Sequence, residues 1–293
     1  MYRAAAILSL IVSLAPAGAR PQTSMESNAA AFKEVPELMS GFRLLYEQKF
    51  PEGREKFVEW TAQNPEDPFG YVAQAASYLF EELYRQGVLS SDFFVDENRF
   101  LKGIEGKADP ERMKNFREAS GRARELAKVR LKSNSRDQEA LFALTLAAGM
   151  ESDADSMLEK KQMDGLKRMK EANAHAKLLL AERPDVADAY VALGIANYTI
   201  GSLSAGFRAL LWFGGVHGDK KLGMAQVEKT AENGRYLKPF GKIMLALAAR
   251  REKQNALAQK LLRELNEEFP ASPLYAVEYA KAMGRPVPTE IEP

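Results

Sequence analysis

The 293-residue chain contains no cysteine, which excludes disulfides, thiol nucleophiles, thiolate metal ligands and lipid attachment through a cysteine. Histidine is nearly absent: His175 and His217 are the only two, too few for the clusters through which metal and acid-base sites usually declare themselves. An excess of one charge sign is missing as well. The 41 Lys and Arg face 40 Asp and Glu, so the chain lacks the basic surplus on which nucleic-acid binding depends. Long apolar runs are missing too, except near the start, where Arg3 precedes the stretch from Ala4 to Leu14 and Ala17-Gly18-Ala19 follows it. A positive start, an apolar stretch and small residues at the two positions read by signal peptidase predict a secretory signal over 1–19, cleaved near Ala19. A membrane-spanning helix needs about 20 apolar residues, and Pro16 breaks a run already shorter than that. The expectation is a periplasmic or secreted protein, with membrane contact only through the signal segment if it stays on the chain. A flexible start is expected over 20–33.

What the sequence has in quantity is helical spacing. In Pro184 to Gly201 the residues Val186, Tyr190, Leu193, Ala196, Asn197 and Ile200 form a stripe at helical period, with Asp185 placed to cap the first turn. A second pattern recurs three times: a small residue, an apolar one four later and a proline eight beyond that, at Gly53-Phe57-Pro65, Ala172-Ala176-Pro184 and Ala258-Leu262-Pro270. Small residues precede it at Gly41 and Ala246 and follow it at Ala75, Gly194 and Ala280. Small side chains at such positions let paired helices cross closely. Glu34 to Phe50 and Glu52 to Gln63 read as a first pair, with Pro51 suited to a first helical turn. Asp67-Pro68 starts the next helix, reaching about Arg85.

The spacing of these positions, with Tyr190 followed by Leu193-Gly194, matches the tetratricopeptide repeat. It predicts an all-α fold, a TPR-like right-handed superhelix of about five helix pairs plus a C-terminal capping helix. The repeat domain is expected over 34–284 as one array whose units pack only on their neighbours, with a tail over 285–293. The register stretches in the second, third and fourth units, between Ala75 and Ala123, Thr145 and Ala172, and Gly194 and Met224-Ala225. Each excess falls between the paired helices, so the three insertions are expected along one edge of the array. Two are strongly apolar, with Phe93, Phe94, Val95 and Phe100 in the first and Leu203, Phe207, Leu210, Leu211, Trp212 and Phe213 in the third. Burial against the array is the favoured expectation for them, since apolar surface left in water costs roughly 25 cal/mol per Å².

Chemical motifs are few. His175 shares a helical face with Ala172, Ala176 and Leu179, which points to a packed histidine. Gly214-Gly215-Val216-His217-Gly218-Asp219-Lys220 fails the spacing of a phosphate-binding loop, and Asp219 is placed to cap the helix that follows. Arg112, Lys114, Arg117, Arg122, Arg124, Lys128, Arg130 and Lys132 form a basic run, read as a solvated helix face, with an anionic partner or membrane surface as the alternative. Glu81-Glu82 and Asp153 with Asp155 are carboxylate pairs too common in polar segments to nominate as catalysts.

From about Ala140 to Leu274 the chain resembles a group of exported bacterial tetratricopeptide-repeat proteins. The likeness rests on Pro184-Asp185 with Asp188-Ala189-Tyr190 and Gly194, Gly201-Ser202-Leu203, Gly218-Asp219-Lys220 with Gly223, the Gly234-Arg235-Tyr236 turn, and the helix end from Leu261 to Pro270. The resemblance implies a binding or scaffolding role without catalysis or cofactor. The expected partner is a protein or peptide, held by the inserted edge at Phe207, Trp212 and Phe213 or by a concave face around Tyr71, Tyr78 and Tyr190. The alternative is a small ligand enclosed by the inserted segments.

Overall fold

A computed structural model describes residues 30–287, apart from 97–98, 100–101 and 214. The expected signal over 1–19, most of the flexible start and residues 288–293 of the tail lie outside the described residues. Among the described residues every regular element is helical, and no helix is long and apolar enough to cross a membrane. The helices are α1 (Pro36–Tyr46), α2 (Phe50–Gln63), α3 (Pro68–Arg85), a short α4 (Ser91–Val95), α5 (Pro110–Ser133), α6 (Gln138–Asp153), α7 (Gln162–Glu182), α8 (Tyr190–Ser202), α9 (Ala205–Phe213), α10 (Lys220–Asn233), α11 (Lys238–Arg251), α12 (Asn255–Glu268) and α13 (Pro273–Ala282). A π-helical turn, Ala154–Leu158, follows α6.

Proline and aspartate set several of the starts. Pro51 sits in the first turn of α2, and the Asp67 carboxylate accepts from the Phe69 and Gly70 amides at 2.9 and 3.2 Å ahead of Pro68. Asp219 accepts from Leu222 N at 3.0 Å and caps α10 as expected. Asp185 does not cap. Its carboxylate is gripped by the Arg183 guanidinium at 2.8 and 2.7 Å, and a single 3₁₀ turn, Ala187–Ala189, intervenes before α8.

The helices pack as pairs: α1 with α2, α3 with α5, α6 with α7, α8 with α10 and α11 with α12, with α13 closing the end. Small residues sit where the pairs cross. A Cβ added at Gly194 would lie 2.6 Å from Val227 Cγ2 and 3.0 Å from the Gly223 carbonyl oxygen, so α8 and α10 could not approach as they do with any larger residue there. The matching close position on α10 is Gly223, which is buried, rather than Met224-Ala225, since Ala225 is exposed. Gly53, Phe57, Ala75, Ala172, Ala176, Ala246, Ala258 and Leu262 are all buried.

The expectation that units pack only on their neighbours is overturned. The first pair meets the last: the Tyr46 ring lies 5.5 Å from Phe269, Gln48 Oε1 accepts from Ser272 Oγ at 2.5 Å, and an Arg43 amine donates to the Glu268 carbonyl at 3.2 Å. Tyr236, on the turn before α11, binds this closure from inside. Its hydroxyl donates to the Lys33 carbonyl at 2.7 Å and accepts from Val35 N at 3.3 Å, while its ring lies 5.2 Å from Phe42 and 4.9 Å from Phe69. Ala31 and Phe32, at the end of the stretch expected to be flexible, are buried in this same core. The ends meet because the large aromatics are directed inward, where they bury one another instead of lining an open groove.

The basic run is likewise not a solvated face. On α5, Arg112 pairs with Glu82 and, at 3.2 Å, with Glu81; Arg117 lies 2.5 Å from Asp155, Arg124 2.6 Å from Glu171 and Arg130 2.6 Å from Glu139. Four of the eight cations therefore form an interhelix seam with carboxylates of α3, α6, the π turn and α7. Lys114 and Arg122 keep to the outside, at 3.8 Å from Glu118 and Glu125 of their own helix.

The three insertions behave differently from one another. The first folds across the array: Ser91 and the Phe94 carbonyl accept from Arg250 and Arg251 of α11, Asp92 pairs with Lys281 of α13 at 2.7 Å, and Phe93 is buried. It also meets the second insertion, with Ile104 N donating to the Met157 carbonyl at 2.9 Å. The third, carrying α9, leaves Phe207, Leu210, Trp212 and Phe213 in solvent, with Leu203 and Leu211 half-buried.

A candidate interaction cleft and an exposed helix

Closure of the two ends leaves a cleft of about 710 Å³ on one side. One wall is α1, with Met39 and Arg43; the other is the turn from Asn233 to Pro239, and Phe269 and Glu268 close the far end. Asp188 builds the turn. Its buried carboxylate accepts the backbone amides of Arg235 at 2.9 Å, Tyr236 at 3.1 Å and Leu237 at 3.1 Å. Burial pushes the Asp188 carboxyl above its ordinary range, against the pull of these three amides. The amides are thereby satisfied inside the protein, and the Arg235 side chain is turned out to the cleft.

The electrostatics of the cleft are uneven. Hydrogen bonding from Arg183 holds the Asp185 carboxyl below its usual range, so these two charges cancel at the rim. Arg43 is engaged by Glu47 at 3.3 Å. Arg235 and Lys238 line the cleft and make no ion pair among the described residues. The cleft thus sets Arg235 and Lys238 among the carboxylates of Glu34, Asp185 and Glu268, with Arg235 in electrostatic reach of Asp185, and Met39 adds partly exposed apolar surface beside the buried Phe269.

The aromatic residues predicted as contacts lie elsewhere. Tyr71 and Tyr78 share α3 and are half-buried; Tyr78 stacks under the Arg54 guanidinium at 4.0 Å, and Arg122 lies 5.9 Å from the Tyr71 ring. Tyr190 is on α8, beneath Lys229 at 4.2 Å, with its hydroxyl donating to the Pro184 carbonyl at 3.3 Å. None of the three lines the cleft.

Phe207, Trp212 and Phe213 stand together on α9, which has no buried residue. Phe213 is 82% exposed, Leu210 68%, Trp212 61% and Phe207 52%, so the burial favoured for this segment does not occur. The helix is nonetheless well made. Gly215, at φ +71°, donates to the Trp212 carbonyl at 2.9 Å and Val216 N to the Leu211 carbonyl at 2.9 Å, the paired bonds that terminate a helix with glycine in the left-handed region. Arg208 ties its base to the Gly201 carbonyl at 3.1 Å.

The histidines remain apart. His175 Nε2 is 3.9 Å from Glu171, and burial lowers its pKa; His217 is exposed, its ring 6.1 Å from that of Trp212. Two small apolar cavities lined in part by the first insertion, through Leu89 and Phe94, measure about 40 and 30 Å³. Comparison with protein-family models and with curated proteins returns no match.

The spacing of the sequence reached α9 but missed the cleft. Asp188 and Gly234-Arg235-Tyr236 are both conspicuous in the sequence, yet 47 residues separate the bonded Asp188 and Arg235. Only the closure of the fold joins them to α1.

Proposed function

We propose that the chain is an exported tetratricopeptide-type interaction scaffold, a right-handed superhelix of five helix pairs wound until its ends meet, and that it holds a protein or peptide partner without catalysing a reaction. The observation that carries this reading is the cleft between α1 and the 233–239 turn, where the Arg235 and Lys238 side chains form no ion pair among the described residues and stand beside the partly exposed Met39. Its chemistry suits a peptide that brings a carboxylate, from Asp, Glu or a chain end, next to an apolar side chain. Export rests on the residues of 1–19 and is tested separately: the intact mass of envelope-fraction protein is expected to begin at or near Arg20, and a full-length cytoplasmic product contradicts it.

A small-ligand carrier with its pocket among the insertions finds little support. The cavities of about 40 and 30 Å³ are far below the roughly 300 Å³ at which ligand pockets begin. The test of the scaffold reading is capture from envelope extracts with the wild type and with an Arg235→Glu, Lys238→Glu variant. A partner retained by the first and lost by the second supports it. Equal retention by both places the partner elsewhere, and a co-purified small molecule in native mass spectrometry favours the carrier.

A further inference from the structure

We infer that α9 is a membrane-surface anchor, a short helix that seats Phe207, Leu210, Trp212 and Phe213 in the interface of an anionic bilayer. This surface is separate from the cleft, and the inference stands whether or not the cleft binds a peptide. At nine residues the helix is about 14 Å long, too short to span a bilayer and of a length to lie within one leaflet's boundary. Its side chains are those that interfaces favour, with Trp and Phe beside Leu.

Three observations favour lipid over other occupants. A protein partner would ask for about one hydrogen bond per 100–200 Å² of interface, whereas the helix offers two donor side chains, the Trp212 indole N–H and Arg208, the second already committed to the Gly201 carbonyl. A second copy pairing through α9 would have only the nine residues of that helix with which to reach the roughly 1,200 Å² of a stable interface. Charge gives the third argument. No Asp or Glu occurs from Ala189 to Gly218, while Arg208 lies on the helix and Lys221, exposed, at the start of α10. An apolar helix whose base carries Arg208 and Lys221 against one exposed carboxylate, Asp219 beside Gly201, complements a lipid surface bearing phosphate charge.

The test is a titration of the full chain with vesicles of phosphatidylglycerol and phosphatidylethanolamine, reading tryptophan emission, with Trp212→Phe as the reference that isolates Trp212 from Trp60. The readout is local to α9, so contact made through residues 1–19 leaves it unmoved. The expected result is a blue shift of Trp212 emission, quenched by lipids brominated on their acyl chains. Partitioning should weaken about fivefold for each of the neutralisations Arg208→Gln and Lys221→Gln. A Leu210→Ser, Phe213→Ser variant should lose insertion at least tenfold while keeping the wild-type melting temperature. Emission that stays at its water-exposed position up to millimolar lipid overturns the inference. So does a blue shift that appears without lipid and grows with protein concentration, which would assign α9 to a second copy.

Discussion

Asp188 shapes the 235–237 turn, because three backbone amides there depend on its two oxygens. Asp188→Asn keeps the size but replaces one acceptor with a donor, which then faces an amide that also donates. The expected cost is about 1–3 kcal/mol, read as a lowered denaturation midpoint. Glu139 gives a pH signature instead. Burial raises its carboxyl pKa to about 7, with Arg130 opposing and Asp67 and Asp137 adding to the rise. A carboxyl raised in the fold contributes stability that is complete below its unfolded pKa and is lost as pH rises to the folded value. Between pH 4.5 and 7 the wild type should therefore lose stability relative to Glu139→Gln, and thermal melts across that range check it. A flat difference would mean Glu139 is ionised throughout. Asp188 stood out in the sequence and Glu139 did not, but the burial of neither was legible, since a lone Asp or Glu reveals nothing of its surroundings.

At the scale of elements, α5 and α9 invert what their sequences suggest. The basic α5 looks solvated, yet Arg124 and Glu151 are both buried, 3.4 Å apart. Arg124→Met leaves Glu151 with Arg168 at 3.2 Å and the Ser120 hydroxyl at 2.8 Å and should cost about 3–5 kcal/mol; the double change Arg124→Met, Glu151→Met should recover much of that loss. A double variant no better than the single one would deny that the pair is coupled. The apolar α9 looks buried, yet Trp212→Ser with Phe213→Ser should change stability by less than about 0.5 kcal/mol, against the roughly 3–5 kcal/mol of a truncated core aromatic. Helix ends and crossings were largely readable, because Asp-Pro starts and small residues such as Gly53 and Gly194 have local causes. Which face of α5 or α9 meets a neighbour depends on residues far along the chain, and periodicity within one helix does not encode it.

At the scale of the whole molecule, the sequence pointed to paired helices but not to their closure. Repeat spacing describes how each unit sits on the next; it says nothing of Tyr236 reaching back to Lys33 and Val35. A closed array of this length should have a radius of gyration of about 18–19 Å, and small-angle scattering several ångströms above that would mean the ends part in solution. Closure is also what forms the cleft on which the functional reading depends. The most direct test of that reading is hydrogen exchange on the complex captured from envelope extracts, compared with the free chain. Slower exchange over 34–43 and 233–239 is the predicted result. Protection confined to the α3 segment around Tyr71 and Tyr78, with the 233–239 turn unchanged, would contradict it.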